Sequence, residues 1–313
     1  MKIQIYGAGM AGTFLYHLLR NDVEVRVFDK REIPDCRCAW GIEYTDAKRL
    51  YKEIGVNLDD YILLKPKYSV VNGIYLKIKN VVIFDKKRLL VDLWKDIEFD
   101  KIDADLYIDA TGVARAFLPK IENDRVLPTF QTLERHEIED NIYIYLTKTG
   151  YAWAFPLGDN KWHIGAGEFS LDNCMELIKK LRDKYGFEDK NSECKCVSAV
   201  RILQPSKCKP FVYRNTVGVG EAIGCVSGAG EGNVPALRSA KILYECIVND
   251  KLDEYENRIL KELEWIEIEQ KFVDDYMKNK KISALRLLPK IISIESKRSV
   301  ELSFTTFRKL IGL

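Results

Sequence analysis

The chain opens with a period-two run, Lys2-Ile3-Gln4-Ile5-Tyr6, which predicts a short buried strand. Glycines punctuate Gly7 to Gly12. Phe14, Leu15, Leu18 and Leu19 then recur at helical spacing, so a helix follows until Asn21-Asp22 breaks it. Residues 23–28 alternate apolar and polar and predict a second strand that ends at Asp29. Strand, helix and strand in succession form a βαβ unit with a right-handed crossover. Further along, 45–54 and 86–97 read as helices. Residues 68–83 alternate around Asn72-Gly73, a hairpin signal. A strand at 105–108 feeds Asp109-Ala110-Thr111-Gly112. Strand-like runs at 141–147, 151–155 and 162–166 precede an amphipathic helix at 174–185. A strand at 215–219 enters a glycine-rich turn, a helix runs from about 235 to 248, and the charged remainder is mostly helical.

These patterns predict an α/β fold: a Rossmann-like domain, an inserted antiparallel β-sheet domain and a helical C-terminal segment. The expected division assigns 1–67, 84–125 and 211–250 to the first, 68–83 and 126–210 to the second, and 251–313 to the third.

Composition removes several function classes. Lys+Arg number 49 and Asp+Glu 47, so a net charge of +2 creates no broad field for nucleic acid. Apolar content of 47% argues against disorder. No apolar run approaches the roughly 18 residues of a membrane span. Lys2 leads at once into a strand, unlike a secretory leader, so a cytoplasmic location is expected. Eight cysteines are too few for a disulfide scaffold of this length. The pairs Cys36/Cys38 and Cys194/Cys196 read as inert thiols, a disulfide or a four-cysteine metal site, although C-x-C is tighter than the usual ligand spacing. Three histidines leave little for a His-rich metal site or a hydrolytic triad.

Gly7-Ala8-Gly9-Met10-Ala11-Gly12 is a G-x-G-x-x-G between a strand and a helix. Gly7 permits the tight turn, Gly9 lets a pyrophosphate approach the backbone, and Gly12 lets helix and strand pack closely. The pyrophosphate would sit on the helix N-terminus, where free N–H groups and the dipole favour anions. Asp29 follows where an acid accepts ribose hydroxyls. A second glycine-rich strand-to-helix element, from Gly218 through Gly220-Glu221-Ala222 to Gly228-Ala229-Gly230-Glu231-Gly232-Asn233, exceeds what a simple NAD domain needs.

With Ala110-Thr111-Gly112 between them, these motifs resemble the flavoproteins of the aromatic-hydroxylase fold class. The resemblance implies FAD, held by Gly7, Gly9, Met10, Ala11, Gly12, Asp29, Ala110, Thr111, Gly112, Gly220, Glu221, Gly230, Gly232 and Asn233. Gly150-Tyr151-Ala152-Trp153-Ala154-Phe155-Pro156 and Cys38-Ala39-Trp40-Gly41 are more narrowly similar to the archaeal geranylgeranyl reductase family. That similarity implies reduction of C=C bonds in a prenyl lipid, with electrons from ferredoxin or NAD(P)H. It implies Cys38 and Tyr151 as proton donors, and Trp40, Tyr151, Trp153 and Phe155 around the substrate chain. Alternation puts the last three side chains on one side of a strand, as sheet core or as pocket wall. A flavin monooxygenase or halogenase, or a non-redox FAD protein that binds prenyl lipids, would use the same fold. The tail 282–313 reads either as a packed helix or as a basic amphipathic surface that touches a membrane.

Overall fold

The computed structural model describes residues 1–35, 39–190 and 192–310. Strands are numbered β1–β15 and helices α1–α9 in chain order. The first sheet has five strands in the order β14-β15-β8-β1-β2: Val212–Tyr213, Thr216–Gly218, Leu106–Asp109, Lys2–Tyr6 and Glu24–Phe28. All of its pairs are parallel except β14 with β15. Ile3, Ile5, Val25, Val27, Leu106, Ile108 and Val217 are all buried in it, as expected of a parallel sheet covered on both faces. Helices α1 (Met10–Leu19) and α5 (Asn233–Val248) pack against each other, and α3 (Lys86–Trp94) also contacts α1.

A small sheet joins β3 (Gly41–Glu43), β7 (Val81–Phe84) and β4 (Ile62–Leu64). Glu43 then caps α2 (Tyr44–Glu53), accepting the Asp46 amide. The third sheet runs β13-β9-β12-β11-β10-β5-β6. These strands are Cys194–Arg201, Val126–Arg135, Lys161–Gly167, Tyr151–Gly158, Ile142–Leu146, Tyr68–Val71 and Ile74–Lys77. One face is covered by α4 (Leu171–Tyr185), where Leu177, Ile178 and Leu181 meet Ala152, Ala154, Trp162, Ile164 and Ala166. Ser170 starts α4 by accepting the Asn173 amide, and left-handed Gly186 ends it. After α6 (Tyr255–Glu262) come α7 (Glu264–Met277), α8 (Lys281–Arg298) and α9 (Phe304–Leu310), with Phe272, Ala284, Leu288 and Ile291 as their own core. Among the described residues, no helix is long and apolar enough to cross a membrane.

The expected fold class is the observed one. Two local expectations change. The alternating stretch 68–83 divides: β5 and β6 form the Asn72-Gly73 hairpin of the large sheet, whereas β7 pairs with β3 and β4. Its four residues, Val-Val-Ile-Phe, are apolar throughout and mostly buried, so nothing in their pattern marks one face. The large sheet is not wholly antiparallel either, because β10 lies parallel to β5.

Candidate functional site

The glycine turn sits at the carboxyl end of β1, pinned on both sides. Asp29 accepts the Ala8 amide at 2.7 Å, while the Ala8 carbonyl accepts Trp94 Nε1 at 3.0 Å and Thr13 Oγ1 at 3.1 Å. Gly7 has a φ of +102°, and a Cβ there would lie 2.4 Å from the Ala110 carbonyl oxygen. A Cβ on Gly12 would lie 2.0 Å from the Gly7 carbonyl oxygen and 3.0 Å from the Ala110 Cβ. Both positions are glycine because the turn folds onto itself, and Ala110 closes it from behind. Gly9 differs: a Cβ there meets nothing within 4 Å. Folding does not demand its lack of a side chain. Gly9 also caps α1 without a side chain, so no capping side chain takes up the first turn's amides.

Asp29 ends β2 as expected. Its Oδ1 accepts the Arg31 amide and Nε, and its Oδ2 accepts Ala8 N and Arg31 Nη2 at 2.6 Å. Burial pushes the carboxyl pKa up, but the Arg31 and Ala8 hydrogen bonds outweigh it and hold the group below the usual carboxylate range. Arg31 lies 5.5 Å above the Trp94 ring. Buried Asp109 ties down the Ala110-Thr111-Gly112 turn by accepting the amides of Thr111, Phe117 and Leu118 and the Thr111 hydroxyl.

The late glycine element lies beside the first. A Cβ on Gly220 would meet Ala11 of α1 at 3.1 Å and Ala236 of α5 at 3.6 Å, so the first turns of two helices pack on either side of this glycine. Helix α5, like α1, starts on a glycine, Gly232, with no side-chain cap. Asn233 at its first turn donates to the Gly41 carbonyl and accepts Lys86 Nζ at 3.0 Å, which brings a cation to this helix start. Glu221 accepts the Arg201 amide at 2.7 Å, and burial raises its carboxyl pKa.

Tyr151, Trp153 and Phe155 project from β11 on the face opposite α4, where Phe155 and Trp40 pack with Ile83, Ile142 and Leu157 against the small sheet and Tyr151 approaches the Gly228–Gly232 turn. The Tyr151 hydroxyl lies 3.0 Å from the point where Gly230 would carry a Cβ, and a Phe155 ring carbon lies 2.8 Å from the corresponding point on Gly41. Trp153 is 5% exposed, packs over Gly165 and donates to Gln131 Oε1 at 3.0 Å. Trp40 meets His163 edge to face at 4.7 Å. Burial lowers the His163 pKa to about 4, so the imidazole is neutral at pH 7.

The expected site residues therefore gather in two walls. The glycine turns, Asp29 and Asn233 form one; Tyr151, Trp153, Phe155 and Trp40 form the other. Cys36 and Cys38 lie outside the described residues. Cys194 and Cys196 stand on β13, the former exposed. Arg31, Lys86, Gln131 and His163 join the site without having been anticipated. Arg31 was within reach of sequence reasoning, two positions beyond Asp29. The others required knowing which strands and helices meet.

No family model matches the chain. An uncharacterised protein of Methanocaldococcus jannaschii is 26% identical over 340 aligned positions, covering 88% of this chain and 92% of that protein. A geranylgeranyl bacteriochlorophyll reductase-like protein from Thermoplasma acidophilum superposes with a TM-score of 0.71 at 16% identity, covering 99% of this chain and 95% of that one. A probable FAD-dependent monooxygenase from Pseudomonas aeruginosa gives 0.67 at 14% identity, covering 92% and 99%. The fold is that of FAD-dependent oxidoreductases and monooxygenases. A tryptophan 6-halogenase from Streptomyces toxytricini has it too, at a TM-score of 0.63 and 13% identity, covering 87% of this chain and 78% of that one. Within this fold the two uncapped helix starts lie where the parallel strands end, the usual ligand position in open α/β sheets.

Proposed function

We propose that the chain binds FAD and reduces C=C bonds of a prenyl chain of the geranylgeranyl type. The observation that carries the cofactor is Gly9. It leaves room for a pyrophosphate that folding does not require, beside the uncapped start of α1. Asp29 and Arg31 would receive the adenosine end, and the α5 N-terminus with Gly230, Gly232 and Asn233 would face the flavin end. The aromatic wall supports the substrate class, because pockets for apolar ligands are mainly hydrophobic with few polar groups. The likeness to a protein described as geranylgeranyl reductase-like supports the same reading.

Reduced FAD, when bound, supplies a hydride; the second carbon of the double bond then needs a proton. Tyr151 carries the hydroxyl on the aromatic wall, and Cys38 is the other candidate donor. Neutral, buried His163 does not serve as an imidazolium acid at pH 7. Trp153, fixed by Gln131, backs Tyr151 at 5.4 Å between ring centroids and helps exclude water. Ferredoxin or NAD(P)H would restore the reduced cofactor.

The test is anaerobic. FAD-loaded protein reduced with dithionite is mixed with geranylgeranyl lipids, and flavin absorbance and lipid mass are followed. One flavin reoxidised and two hydrogens gained per double bond is the expected result. Reoxidation only by O2, with an oxygen atom delivered to an added aromatic compound, would assign the site to an oxygenase instead.

A further inference from the structure

Behind the Gly228–Gly232 turn lies a cluster outside the glycine motifs. The turn is closed internally: Ser227 N donates to the Glu231 carbonyl, and Ser227 Oγ accepts the Ala229 and Glu231 amides. Helix α7 holds it from behind. Glu269 accepts the Gly228 amide at 3.1 Å, and Gln270 donates to the Val226 carbonyl at 2.9 Å. Helix α8 reaches the tip, where Arg298 Nη2 meets both Glu231 carboxylate oxygens at 3.2 and 3.3 Å. The guanidinium carbon lies 3.8 Å over the Trp265 ring, while its Nε is buried with no hydrogen-bond partner. The Trp265 ring seats the guanidinium, and with Nε unpartnered its side-chain hydrogen bonds go to Glu231.

We propose that Arg298 is a positioning residue for the cofactor site: through Glu231 it holds the Gly228–Gly232 turn in the form that receives FAD, so the C-terminal helices contribute to FAD affinity. This rests on the FAD reading above. The charges that face Glu231 are Arg298 and Glu295 from α8, and Glu43 from the end of β3, with Glu269 of α7 next to them. Like charges thus crowd around one guanidinium, which disfavours the ionised form of the more buried carboxyls. Burial pushes Glu231 up to about 7 despite Arg298, and Glu269 well above its ordinary range through burial and the neighbouring Glu295. The sign follows. Above pH 7 Glu231 is ionised and the pair with Arg298 is closed; below it the carboxyl is neutral and the grip weakens. FAD should bind more tightly at pH 8 than at pH 6.

The experiment titrates FAD into the full chain by flavin fluorescence from pH 6 to 8, for the wild type, Glu231→Gln and Arg298→Lys. Hydrogen exchange of 227–234 is measured on the FAD-free proteins. The wild type should gain about tenfold in affinity over that range, one pKa-unit equivalent. Glu231→Gln should bind more weakly at pH 8 and lose the pH dependence. Arg298→Lys keeps the charge but loses the guanidinium nitrogen that bridges both Glu231 oxygens and the stacking on Trp265, so it should bind FAD more weakly and exchange the turn faster. If Glu231→Gln does not fold, Arg298→Lys carries the same test. Variants that match the wild type in affinity, pH profile and exchange overturn the proposal. A folded wild type that takes up no FAD overturns the cofactor reading and this inference together.

Discussion

Single residues separate ligand binding from folding most cleanly at Gly9. Its backbone is extended, with a φ of −80° and a ψ of −164°, and nothing stands where a side chain would go. Gly9→Val should therefore fold, giving up only about 1 kcal/mol as a poorer N-cap, and lose FAD by about a hundredfold or more, roughly 2.7 kcal/mol. The same change at Gly7 or Gly12 would collide with backbone and say nothing about the ligand. His163 allows a pH argument. Its folded pKa of about 4 lies below the unfolded value of about 6.5. Between those values the unfolded chain binds a proton that the folded chain refuses, so stability falls as pH falls through that window, by about 1.4 kcal/mol per unit. His163→Gln should flatten that part of the urea-midpoint profile and leave the region above pH 7 as it was. Asp29 was legible as an acid ending a strand. That its oxygens are already engaged by Ala8 and Arg31 was not, because a strand pattern says nothing about the neighbours of its last side chain.

At the scale of elements, β11 shows what alternation can and cannot decide. The spacing of Tyr151, Trp153 and Phe155 places them on one face, and the face opposite α4 is where they stand. Which of them is wall and which is core depends on β9 and β12. Gln131 and Gly165 bury Trp153, while Tyr151 and Phe155 remain partly exposed. Trp153→Ala should accordingly cost about 3–5 kcal/mol of stability, the range for truncating a large buried aromatic, and raise the KM in whatever remains folded. Tyr151→Phe should leave the unfolding free energy within about 1 kcal/mol and lower kcat with KM unchanged if its hydroxyl gives the proton. The βαβ unit was legible almost to the residue because every cue in it is local. Strand β13 was not. Cys194, Lys195 and half-exposed Val197 present no apolar face, and the strand exists because β9 offers an edge. Arg298 and Glu269 were equally hidden, since chain segments far apart in sequence bring them to the Gly228–Gly232 turn.

Taken whole, the molecule sets the glycine turns of its parallel-sheet lobe beside one face of its large-sheet lobe, where Tyr151 meets Gly230 and Phe155 meets Gly41. A ligand touching both lobes binds only the folded chain. Saturating FAD should therefore raise the unfolding free energy by about 2.7 kcal/mol at a hundredfold excess over Kd, read as a rise in the thermal midpoint. The gain should be absent in Gly9→Val.

The seam between the lobes has a further consequence. At Gly41 the Phe155 ring occupies the volume of a missing side chain, and at Gly230 the Tyr151 hydroxyl does the same. The clearance between the walls is thus set by two omitted methyl groups rather than by a hinge or a linker. Widening it needs no redesign of either lobe: an alanine at Gly41 would act as a shim against Phe155. The two positions differ in reach: a change at Gly41 alters the clearance from outside the glycine turns, whereas one at Gly230 falls within the Gly228–Gly232 turn and meets its positive φ as well.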